Sequence, residues 1–116
     1  MPAPTHAPTH AYAIAHLRSV DFGPDIVEYL RRIDATLEPF DGRFVVHGAR
    51  VEVLEGDWPG DIVVIAFPDL ATARAWYASP AYQAILALRT DNAQGDVILV
   101  PGCDPDHRGA DLLAAA

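Results

Sequence analysis

The run DIVVIAFP, from Asp61 to Pro68, constrains this chain more than any other stretch. Its residues are β-branched or apolar without alternation, and Gly60 and Pro68 bound it, so it reads as a central strand buried on both faces. A strand of that kind needs covering layers. The unbroken apolar part, Ile62 to Phe67, is far short of the roughly 20 residues that span a bilayer, so no membrane partner is expected.

The segments around it supply the rest of a sheet and its helices. AYAIAHLR places Tyr12, Ile14 and His16 on one strand face and Ala13, Ala15 and Leu17 on the other. Gly23-Pro24 opens a helix with proline at its first position and Asp25 in the first turn, where negative charge suits the dipole. Ile26, Leu30, Ile33 and Leu37 form its buried stripe, and Pro39 ends it. After Asp41-Gly42 come RFVVHG and ARVEVLEG, read as one strand bent by a bulge at Gly48, followed by a surface turn, GDWPGD. Asp69 caps a second helix carrying Leu70, Ala73 and Trp76 or Tyr77 inward, and Ser79-Pro80 restarts it through Tyr82, Ile85, Leu86 and Arg89. A loop from Asp91 to Gly95 leads to the last strand, DVILVPG.

The order β-α-β-β-α-β predicts an α+β fold, the ferredoxin-like sandwich, with an antiparallel four-stranded sheet and two helices on one face. Residues 1–10, with APTH repeated, read as a flexible leader, residues 11–102 as the single folded domain, and residues 103–116 as a C-terminal tail with a short helical turn. Two helices leave one sheet face open. Since the first and third strands are apolar on both sides, a symmetric homodimer is expected to cover it.

Composition removes whole classes of chemistry. All eight basic residues of the 116 are arginine, which excludes a lysine Schiff base and the lysine of a phosphate-binding loop. Ser19 and Ser79 are the serines, and neither lies in G-x-S-x-G. A formal net charge of −8 with scattered arginines disfavours nucleic acid. The single cysteine, Cys103, rules out an internal disulfide and favours a reducing, cytoplasmic setting.

With these segments in view, GRFVVHG and VEVLEGDWPGDIVVIAFPDLATARAWYASPAYQAILALR together resemble domain of unknown function family 1330, within the dimeric α/β-barrel superfamily. The likeness runs from about Tyr12 to Val100. It implies a ferredoxin-like dimer with ligands held between sheet and helices in each subunit. It implies no activity.

The remaining residues offer a short list of sites. Trp76, Tyr77 and Tyr82 are read as core aromatics or as the wall of a ligand pocket. Among Arg43, Arg50, Arg74 and Arg89, Arg89 is the first choice for a carboxylate anchor, against the commoner use of arginine in surface ion pairs. His16 and His47 are the candidate bases if they share a cavity, and ordinary strand histidines otherwise. Trp58 reads as a lid or a surface contact. The row Cys103, Asp104, Asp106 and His107 lies on a broken terminal loop, and His6 and His10 lie on a proline-rich leader, so no metal is expected from either. Nor is any cofactor. The leading expectation is a homodimeric small-molecule-binding protein. Its rivals are a cofactor-independent monooxygenase or isomerase acting on an aromatic or carbonyl compound, and a protein-interaction module.

Overall fold

The computed structural model describes residues 10–115, so the expected leader falls outside it except for His10. Four strands, β1 (Ala11–Val20), β2 (Arg43–Val46), β3 (Asp61–Phe67) and β4 (Ala93–Pro101), make one antiparallel sheet in the order β2-β3-β1-β4. Helices α1 (Pro24–Leu37), α2 (Leu70–Ala78) and α3 (Pro80–Thr90) follow the first and third strands, and a short α4 (Asp111–Ala115) ends the described chain. The α+β arrangement is compatible with a ferredoxin-like sandwich. No helix among the described residues is long and apolar enough to cross a membrane.

The alternation in β1 and β3 assigns the two sheet faces. Ala11 and Ala13 share a buried core with Ile65 and Phe67 and with Tyr29, Ile33, Ala73, Trp76, Tyr82 and Ile85 from the helices. The opposite parity faces away from the helices. There Val46 pairs with Val64, Val64 with Ile14, and Ile14 with Ile98, an apolar row across all four strands.

The helix signals act as local chemistry requires. Asp69 accepts a hydrogen bond from the Thr72 amide at 2.7 Å and caps α2. The Ser79 hydroxyl donates to the Trp76 carbonyl at 2.7 Å and accepts from the Tyr82 amide at 3.2 Å, so one side chain ends α2 and starts α3. Pro80 then occupies the first turn of α3.

Three expectations need correction. The bent strand over ARVEVLEG is absent: β2 stops at Val46, and residues 47–60 form a loop with Val53 and Leu54 exposed. Its alternating apolar residues have no partner, because β3 pairs only with residues 43–46 on that edge. Leu30 belongs to the exposed rather than the buried part of α1, whose inner face is Ile26, Tyr29, Ile33, Thr36 and Leu37. And β4 begins at Ala93, inside the segment read as a loop. Gly95 sits opposite Leu17 beside a register shift, and a Cβ there would collide with the His16 carbonyl. This glycine serves close strand approach rather than a turn.

Gly60 is under a stronger constraint. Its φ is +84°, and a Cβ would run into the backbone of Leu17 and Arg18. Gly60→Ala is expected to lower stability by about 2 kcal/mol or more in urea unfolding. Gly109→Ala, with open space around it, should stay within about 0.5 kcal/mol of the parent.

Candidate functional site

Alanines on the helix-facing side of a central strand leave volume that larger residues would fill. Ala13 and Ala15 of β1, with Val63 and Ile65 of β3, floor a cavity of about 270 Å³ beneath α1. Ile26, Tyr29 and Ile33 roof it, while Trp76, Tyr82 and Arg89 close it from α2 and α3. Helix α1 packs chiefly on α3 rather than on the strands, which keeps the space open. Phe22 and Leu30, exposed at the rim, extend the apolar lining outward.

A hydrogen-bonded chain fixes the inner wall. The Trp76 Nε1–H donates to the Thr36 hydroxyl at 3.0 Å, and that hydroxyl donates to the Ile33 carbonyl at 2.7 Å. The indole also packs on Tyr82, with ring centroids 4.2 Å apart, and on Phe67 at 5.2 Å. Tyr29 and Tyr82 share a buried hydroxyl–hydroxyl bond of 2.7 Å. The Arg89 guanidinium carbon lies 6.0 Å from the Tyr29 ring centre, within cation–π range.

Electrostatics follow from this packing. Burial pushes the Tyr29 phenol far above its ordinary value, and the neighbouring Tyr82 adds to the shift while Arg89 opposes it. Burial works against the Arg89 charge, but Tyr82 and Tyr29 outweigh it and raise the guanidinium further. The cavity therefore holds a permanent cation, Arg89, beside the Tyr29 phenol, whose proton burial holds in place at neutral pH.

The structure divides the candidates between two faces. Trp76, Tyr82, Arg89 and His47 all line the cavity. Tyr77 is outside the lining, half-buried against the core with its ring 5.5 Å from that of Tyr82. His16 lies on the opposite sheet face, where its Nε2 bonds the Pro59 carbonyl at 2.8 Å and its ring stacks on Trp58 at 3.9 Å. The two histidines share no cavity, because residues 14, 16 and 18 alternate away from the helices. His47 is exposed, its ring stacked on Phe44 at 4.2 Å. Arg43, Arg50 and Arg74 are exposed and absent from the lining.

Sequence reasoning missed Tyr29 and Phe44. Tyr29 was visible in principle, three residues after Ile26 and four before Ile33, but a stripe drawn through Leu30 displaced it. Phe44 had no separate signal, because alternation in so short a strand does not say which face is roofed. Among the described residues, no group of three or more His, Cys, Asp or Glu is arranged to hold a metal ion. Asp61 is the carboxylate on the cavity lining, exposed at the start of β3.

A family model described as Domain of unknown function (DUF1330) matches residues 10–103. Among solved structures, the chain is similar to RPA0582, a protein of unknown function from Rhodopseudomonas palustris. The identity is 16%, the TM-score 0.61, and the match covers 84% of this chain and 85% of that one. The methylated form of RPA0582 is matched at 16% identity and a TM-score of 0.63, over 85% and 84% of the two chains. These likenesses show a shared fold. No curated protein matches the chain.

The Tyr29 shift carries a pH signature. A phenol whose folded value lies above its unfolded value stabilises the fold fully below about pH 10, and that contribution is lost as pH rises beyond it. The urea midpoint should hold steady from pH 7 to 9 and fall above about 10. Tyr29→Phe should cost about 1 kcal/mol at pH 7 through the lost hydroxyl bond and flatten the alkaline fall. An equally steep fall in the variant would assign it to other groups.

Proposed function

The chain belongs to the DUF1330 family, and we propose that it works as a homodimeric small-molecule-binding protein, each copy holding one small ligand with an apolar body between α1 and the sheet. The observation that carries this reading is the roofed cavity, apolar over most of its wall and polar at a few fixed points. An engineered apolar cavity of about 150 Å³ accepts benzene, so about 270 Å³ suits one ring with a short substituent. The wall is preorganised before any ligand arrives: Trp76 is 2% exposed and Tyr82 2%, and both are hydrogen-bonded.

The homodimer rests on the other sheet face. Ile98 is 54% exposed and Val100 36%, and both belong to the apolar side that also holds Ile14, Val64 and Val46. An apolar row of this kind on a domain with helices on one side alone favours burial by a second copy, because a self-complementary patch covers both molecules at once. A cytoplasmic setting accompanies the reading, supported by the exposed free thiol of Cys103.

A second reading, a cofactor-independent isomerase or monooxygenase, draws on His47 lining the same cavity as Arg89 and Tyr82. Binding is preferred because His47 is exposed and forms no ion pair with a carboxylate among the described residues. Nothing of that kind holds its ring in the orientation a general base needs.

Two experiments test the proposal. Ala15→Phe, which fills the cavity floor, should keep the far-UV circular dichroism and weaken calorimetric binding of small aromatic compounds at least tenfold. Unchanged binding would place the ligand elsewhere. Sedimentation equilibrium at micromolar concentration should give a dimer for the parent and a monomer for Ile98→Glu. A monomeric parent would end the dimer part of the reading.

A further inference from the structure

Within the cavity, the polar groups are unbalanced in a way that selects a ligand. Arg89 brings up to five N–H donors and no acceptor, and each phenol brings one O–H. Trp76 Nε1–H is already committed to Thr36. The side-chain acceptors these three residues contribute are the two phenol oxygens, which bond each other, with the Arg89 guanidinium beside the Tyr29 ring. When one tyrosine donates its proton to the other, the second tyrosine keeps an O–H for which no acceptor is recorded among the described side chains. The end of the cavity formed by Arg89, Tyr29 and Tyr82 is therefore rich in donors and poor in acceptors.

Charge points the same way. The ion pairs among the described side chains are Arg18–Asp96, Arg32–Glu28 and His107–Asp111, so Arg89 has no carboxylate partner there. Its position in the last turn of α3 suits the helix dipole, and the Tyr29 ring gives a cation–π contact. Neither neutralises the charge. The lining carboxylate, Asp61, is exposed at the start of β3 and forms no ion pair with Arg89. A neutral apolar ligand would leave a half-buried cation and a spare phenol proton facing it, at a cost in desolvation.

We propose that the cavity selects a small aromatic carboxylate, its ring lying over Ala13 and Ala15 against Trp76 and its two oxygens taken by the Arg89 fork and a Tyr29 or Tyr82 hydroxyl. The inference deepens the small-molecule reading and rests on it. A guanidinium matches two coplanar oxygens, which an alcohol or an amide does not supply. The acid enters as its anion, displaces water from Arg89 and leaves Trp76 with its existing hydrogen bond to Thr36.

Phenylacetate and phenylacetamide are the probes, nearly equal in size and differing in charge. Isothermal calorimetry on the full chain, supported by Trp76 fluorescence in a Trp58→Phe background, should show phenylacetate bound at least tenfold more tightly. Arg89→Met should abolish that preference while retaining phenylacetamide binding, and Arg89→Lys should keep part of it, because the charge remains and the fork is lost. Tyr82→Phe should reduce the preference severalfold, which keeps the test available if Arg89→Met fails to fold. Equal binding of the two probes by the parent would overturn the carboxylate inference and leave the cavity reading standing. Failure of both probes to bind would overturn the two together.

Discussion

Trp76 stands between α1, α3 and the sheet, and its Nε1–H donates to a hydroxyl on α1 while its ring packs on Tyr82 and Phe67. That bond ties α2 to the roof helix while the indole rests on Phe67 of β3, which helps α3 hold α1 off the sheet. A smaller residue at 76 would let α1 settle toward Ala13 and Ala15 and close the space, since packed interiors collapse onto lost volume as far as their backbones allow. The Thr36 hydroxyl that receives the bond passes its own proton to the Ile33 carbonyl, so the post is anchored to the helix backbone rather than to a mobile side chain. The Tyr29–Tyr82 contact and Arg89 sit beside that spacing, on α1 and α3.

The sheet carries unlike surfaces on its two sides because of side-chain size along β1. Small residues at 11, 13 and 15 face the helices, and larger ones at 12, 14 and 16 face away. The enclosed volume on one side and the apolar row on the other come from the same alternation. His16, stacked on Trp58 and bonded to the Pro59 carbonyl, ties the 47–60 loop to the end of that row where Arg18 and Asp96 pair. The polar end and the apolar end of the open face are thereby kept apart.

Much of this was legible in the residues themselves. The β3 run stands out by its unbroken apolar pattern, the prolines at the starts of α1 and α3 preset helical φ, and Asp69 and Ser79 cap through local hydrogen bonds. The misreadings at 49–56 and at Gly95 have the opposite character. Strand identity depends on whether a partner edge exists, and glycine inside a strand becomes intelligible when the neighbouring backbone is seen. The site was half visible: Trp76, Tyr82, Arg89 and His47 come together, whereas His16 and Tyr77 do not join them. Residue type suggested all six. Facing was the missing information, and Tyr29 in particular required the true tilt of α1, which its pattern of apolar residues left ambiguous by one position.

The strand order has a further effect on how this molecule comes into being. β1 and β4 are neighbours in the sheet, yet Ala11 lies opposite Pro101, with most of the chain between them. Closing a loop of that length is entropically costly and slow relative to forming the α1 or α3 helices. On the ribosome β1 must wait, with its second edge unpaired, until β4 emerges. The cavity, whose lining takes in Val97 from that strand, is thus completed only once β4 has docked, and a nascent chain stopped before β4 would carry helices and three strands but no finished cavity.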